Sequence, residues 1–67
     1  MIDLVINGEP RQFPSTLSLA QLVDSLSLTG KRIAIEKNGE IVPRSQYGET
    51  PLLDGDRLEI VVAVGGG

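Results

Sequence analysis

Residues 2–13 read IDLVINGEPRQF, and this stretch decides the fold. Ile2, Leu4 and Ile6 alternate with Asp3 and Val5, a period of two that predicts a strand with one apolar face. Asn7-Gly8 follows. Both central positions of a two-residue hairpin turn take positive φ, which Asn and Gly tolerate best, so the chain is expected to double back there. Glu9 to Phe13 then forms the return strand. Pro10 has no N–H to give to a ladder, which places that strand at a sheet edge.

Beyond the hairpin, Pro14 and Ser15 break the strand and a helix is signposted. Ser18 reads as the N-cap, and Gln21, three residues on, completes a capping box. Leu17 before the cap is placed to staple onto Leu22. Leu19, Leu22, Val23 and Leu26 form one apolar stripe, with Asp24 and Ser25 turned to water. The helix is expected to end near Ser27, with Gly30 as punctuation. Arg32 to Lys37 alternates again, Asn38-Gly39 is a second hairpin turn, and Glu40 to Val42 is a short strand stopped by Pro43, also an edge. Ser45 to Leu53 reads as an irregular connection. Asp54-Gly55-Asp56 is a tight turn into the last strand, Arg57 to Val64. On that strand Leu58, Ile60, Val62 and Val64 are expected to face the helix, and Val61 and Ala63 the other way. The order is hairpin, helix, hairpin, final strand: an α+β domain with one helix on one face of a mixed sheet of four to five strands.

The chain has 67 residues, room for one domain, with residues 1–64 expected to fold and 65–67 to form a flexible glycine tail. It has no Cys and no His, which removes disulfides, thiol nucleophiles, imidazole bases and the usual zinc ligands. The six Lys and Arg residues are scattered, so there is no basic stripe for a nucleic acid. A net charge of −3 suits docking on a basic protein partner. No apolar run is long enough for a membrane span and no targeting segment is visible, so a soluble, cytoplasmic monomer is expected.

The carboxylates all have plain homes on turns or solvated strand faces. Asp54 and Asp56 read as turn residues rather than metal ligands, and no serine has a base beside it. No catalytic, cofactor or metal site is expected, and the chain does not read as an enzyme. What remains is Gly65-Gly66-Gly67. A frayed terminus of no consequence is the plain alternative. The chemical reading is that a carboxylate on residues without side chains can be threaded into another enzyme's narrow site. Val61 and Ala63 then suggest an apolar docking patch at the base of the tail. Arg44, expected to be exposed after Pro43, either joins that docking, pins the loop near Tyr47, or is a solvated charge.

The whole chain resembles the ThiS family, sulfur carriers of thiamine-thiazole biosynthesis with the β-grasp fold of ubiquitin. The residues that bear the resemblance are Ile6-Asn7-Gly8, Leu17-Ser18-Leu19, the run from Asn38 to Arg44 (NGEIVPR), Tyr47, Asp54-Gly55-Asp56 and Val64-Gly65-Gly66-Gly67. The resemblance implies that the first and last strands lie side by side and parallel. It implies that Gly67 is adenylated by a ubiquitin-activating-type (ThiF-like) adenylyltransferase using ATP, then converted to a thiocarboxylate. It further implies that a thiazole synthase (ThiG-like) takes the sulfur. The small subunit of molybdopterin synthase, with the same fold and glycine end, is an alternative, as is a β-grasp regulatory module that is never modified.

Overall fold

The computed structural model describes residues 1–63; Val64, Gly65, Gly66 and Gly67, and with them the expected end of the final strand and the tail, lie outside the described residues. The elements are β1 (Ile2–Ile6), β2 (Glu9–Phe13), β3 (Leu17–Ser18), α1 (Leu19–Ser25), β4 (Ile33–Lys37), β5 (Glu40–Ile41), a 3₁₀ helix (Arg44–Glu49), β6 (Pro51–Leu52) and β7 (Arg57–Val62). The main sheet has five strands in the order β2-β1-β7-β4-β5. β1 and β7 are parallel and central, and the other neighbours are antiparallel. The two strands beside prolines are the edges, as the missing N–H of Pro10 and the stop at Pro43 require.

One helix covers one face. Leu4 and Ile6 of β1, Ile35 of β4 and Leu58 and Ile60 of β7 meet Leu19, Leu22 and Val23 of α1 in a single buried cluster. Its N-terminus is capped as the sequence predicts: Gln21 N–H donates to Ser18 Oγ at 3.1 Å, and Ser18 N–H to Gln21 Oε1 at 2.8 Å. The helix ends at Ser25, two residues before the expected Ser27; Ser27 takes the left-handed conformation with φ of 60°, and Gly30, the expected punctuation, follows with φ of 85°. Ser27 N–H donates to Asp24 O and Leu28 N–H to Val23 O, both at 3.0 Å, the paired bonds of a Schellman motif.

The connection expected to be irregular is ordered. Its 3₁₀ helix buries Tyr47, and β6 pairs with β3 in a separate two-stranded sheet, Leu17 opposite Leu52 and Ser18 opposite Pro51. Leu19 N–H to Thr50 O at 2.8 Å and Thr16 Oγ1 to Leu52 O at 2.6 Å complete the attachment, so this segment holds the start of α1 in place.

The parallel seam between β1 and β7 is stitched from end to end. Asp3 N–H donates to Asp54 Oδ1 at 2.6 Å, and Gly55 N–H to Asp3 O at 2.7 Å. Val5 N–H reaches Asp56 O at 3.0 Å and Asn7 N–H reaches Leu58 O at 2.9 Å. There β1 ends, because Asn7 (φ 51°) and Gly8 (φ 82°) turn the chain into its hairpin. The Asn7 side chain continues the seam. Its Oδ1 accepts Ile60 N–H at 2.7 Å and its Nδ2 donates to Ile60 O at 3.1 Å. Asn38, with φ of 52° in the second hairpin, clamps the other side of β7: its N–H donates to Arg57 O at 2.8 Å and its Oδ1 accepts Arg57 N–H at 2.9 Å. Its Nδ2 holds the buried Asp56 at 3.0 Å; Asp56 also accepts Leu53 N–H at 2.9 Å and faces Lys37 Nζ at 3.8 Å.

Asn7→Asp keeps the tolerance for positive φ and the acceptor for Ile60 N–H, but sets a carboxylate oxygen against Ile60 O. It should lower stability by about 1–3 kcal/mol, a fall of roughly 5–15 °C in Tm for a domain of this size. Thermal unfolding followed by circular dichroism checks it; an unchanged Tm removes the amide clamp from the account.

Candidate functional site

The face of the sheet opposite α1 is uncovered among the described residues. β7 supplies its middle. Leu58 and Ile60 point to the core, while Arg57, Glu59 and Val61 point outward, and Val61 is 62% exposed. Val61 is paired in register with Ala34 on β4, which is also exposed. The alternation read from the sequence therefore assigns the two faces of β7 correctly at Leu58, Ile60 and Val61. It fails at Val62, expected beneath the helix but 39% exposed. A seven-residue helix is only about 10 Å long, too short to span a six-residue strand of about 20 Å.

β7 ends at Val62, but Ala63 is still held. Its N–H donates to Arg32 O at 2.9 Å, just before β4 begins. Arg44, exposed as expected, donates from Nη2 to Lys31 O at 2.6 Å. Lys31 and Arg32 are neighbours, so the two contacts bring Ala63 and Arg44 to one corner, the place where the described chain leaves the sheet. Arg44 also borders a shallow groove with Ala20, Val23, Ile33 and Tyr47, which ties the 3₁₀ helix to the turn before β4. Of the residues the sequence singles out, Ala63 and Arg44 are thus brought to one end of β7, Arg44 on the helix side, while Val61 lies near that end on the open face. Gly65, Gly66 and Gly67 lie outside the described residues.

The sequence missed three things at this site. Asn7 and Asn38 were legible as turn residues, but not as the groups that hold β7. Ile41, opposite Glu36, adds a further apolar side chain to the open face and is 64% exposed. Asp54 and Asp56, adjacent to a glycine in the sequence, accept backbone N–H groups of Asp3 and Leu53, which gives both carboxylates a structural role. Among the described residues no three Asp, Glu, His or Cys side chains converge as metal ligands would, and no helix is long and apolar enough to cross a membrane.

Comparison with known proteins bears on this arrangement. The chain matches the model of the ThiS family over residues 4–67. It is 37% identical over 65 residues to the sulfur carrier protein ThiS of Bacillus subtilis (strain 168), covering 96% of this chain and 98% of that protein. It is 45% identical over 64 residues to a thiazole synthase of Paramagnetospirillum magneticum, covering 96% of this chain. The match there occupies 20% of the relative, so the chain spans about a fifth of that protein's length. The crystal structure of the thiamine biosynthesis protein ThiS from Geobacter metallireducens superposes with a TM-score of 0.84 at 29% identity, covering 98% of this chain and 100% of that one. The β-grasp arrangement that the resemblance implies is therefore the fold of these relatives.

Ile60→Glu puts an unpaired charge into the core and should abolish cooperative unfolding, whereas Val61→Glu should shift Tm by no more than about 4 °C. Similar unfolding of both variants contradicts the face assignment. Arg44→Ala should lower Tm by roughly 2–8 °C through loss of the bond to Lys31 O, at the exposed end of what such a bond contributes; no shift leaves Arg44 a solvated charge.

Proposed function

Because this chain belongs to the ThiS family, we propose that it is a sulfur carrier whose Gly67 carboxylate is the group that is activated and loaded. A carboxylate is unreactive toward sulfur nucleophiles until it has a leaving group. In the proposed sequence a carboxylate oxygen attacks the α-phosphorus of ATP on a ThiF-like adenylyltransferase, and pyrophosphate leaves. Sulfide-level sulfur drawn from cysteine then adds to the carbonyl and AMP departs, leaving a thiocarboxylate. The thiocarboxylate delivers its sulfur to a ThiG-like thiazole synthase. The chain is a cosubstrate in this scheme, and ATP belongs to the partner.

The observation that supports the reading best is the family match running from residue 4 through Gly67, so that the glycine end is part of the shared pattern. The similarity to a segment of a thiazole synthase supports the identity of the sulfur acceptor. The absence of His and Cys from the sequence agrees with chemistry supplied by the partners. In this reading Val61 on the open face and Ala63 and Arg44 at the corner beyond β7 are the residues near its end by which a partner grips the domain and aims Gly65-Gly66-Gly67 into its site.

The test is a reconstituted assay with adenylyltransferase, ATP and a sulfur source, read by intact mass. The full chain should gain the mass difference between sulfur and oxygen. Deleting Gly67, or appending residues after it, should abolish that gain while leaving Tm within about 2 °C, since neither change touches the core. A deleted form that still acquires sulfur contradicts the proposal. A knockout that requires thiazole rather than molybdenum cofactor assigns the pathway; the reverse requirement moves the carrier to molybdopterin synthesis.

A further inference from the structure

The open face carries an arrangement that opposes folding. Glu36 on β4 and Glu59 on β7 are direct register partners in an antiparallel pair. Such partners project to the same side with Cβ atoms about 4.5–5.5 Å apart, and like charges so placed repel. Both residues are exposed. The single ion pair among the described residues joins Lys37 to Asp56 and includes neither glutamate. Arg57, two residues before Glu59 on the same face, comes within ion-pair distance of neither carboxylate. Along the strands the acidic pair has the Ala34–Val61 pair on one side and Arg57 on the other, and across the sheet Ile41 lies opposite Glu36. The result is two adjacent carboxylates bordered on two sides by exposed apolar side chains and on a third by Arg57, which shares their groove without ion-pairing to either, on a face that no described element covers.

We propose that Glu36 and Glu59 together receive one arginine side chain of a protein partner, whose surrounding apolar surface seats on Ala34, Ile41 and Val61. A guanidinium has donors on both edges of a plane, so it can bridge two carboxylates side by side, and it is weakly enough hydrated to enter an apolar contact. The repulsion that weakens the free domain turns into attraction once the cation is in place. Charge selects against other occupants. Nucleic acid and anionic lipid share the sign of the pair, and a second copy docked on the same face would set two acidic pairs against each other. The inference rests on the sulfur-carrier reading, which requires partners that grip the domain, and adds the chemistry of the grip.

The experiment compares the wild-type chain, the double variant Glu36→Gln/Glu59→Gln and the control Glu49→Gln, which lies on the 3₁₀ helix away from this face. Each is titrated against the adenylyltransferase and the thiazole synthase of the same organism by calorimetry, at ~50 and ~300 mM salt. The double variant should bind at least one of the two enzymes about tenfold more weakly, with most of the salt dependence gone. It should also melt about 2–6 °C higher, because the repulsion has been removed. Weaker binding joined to higher Tm is a signature that simple structural damage does not produce. Binding within twofold of wild type to every enzyme that the wild-type chain binds overturns the inference and leaves the carrier reading intact. Self-association of the wild type that the double variant loses, seen by sedimentation, assigns the face to a second copy and overturns it as well. Failure of the wild-type chain to bind either enzyme counts against the carrier reading itself.

Discussion

The structure depends on a side-chain amide standing in for a peptide. β1 must turn away at Asn7 to make its hairpin, which would leave β7 unpaired on that side from Ile60 onward. The Asn7 amide offers one acceptor and one donor with the spacing of a backbone unit, and it bonds both polar groups of Ile60. Asn38 holds Arg57 from the opposite side with its side-chain Oδ1 on Arg57 N–H and its backbone N–H on Arg57 O. The two Asn-Gly turns therefore serve twice. They reverse the chain, and they clamp the last strand at two places. β7 is thereby held to the strands on both of its sides.

Much of this was legible in the sequence, and what was not has physical reasons. The period-two alternation, the Asn-Gly pairs and the two prolines fixed five strands and their edges, because each is a local signal with one dominant backbone outcome. The capping box located the start of α1 for the same reason. The end of α1 was less legible: Gly30 has the positive φ expected of it, but Ser27 takes the left-handed conformation first, and a serine there is uncommon and carries no local signal. The β3–β6 pair has two residues per strand, too few for any period to show. The clamps of Asn7 and Asn38 reach residues more than fifty and about twenty positions away, which no local pattern reveals. Val62 followed the strand pattern but not the burial, since the helix length that limits coverage was overestimated by about two residues.

The same division holds for the site. Val61, Ala63 and Arg44 could be picked out because alternation and proline define their surroundings. The meeting of Ala63 and Arg44 at Lys31 and Arg32 could not, as it depends on where the turn before β4 lies. The pairing of Glu36 with Glu59 needed the register, which sequence leaves open to a one-residue slip that reverses every side chain. Among the described residues the structure provides a central strand bonded on both sides and an uncovered face beside it.

β7 is held as one unit with its neighbours up to its last paired residue. Amide hydrogen exchange measures this directly. The account predicts that the N–H groups of Arg57 and Ile60, which rest on asparagine side chains, exchange as slowly as that of Asn7, whose partner is a backbone carbonyl, all three opening only with global unfolding. Exchange of Ile60 and Arg57 at the rate of exposed turn amides such as Gly39, with Asn7 still protected, would contradict it.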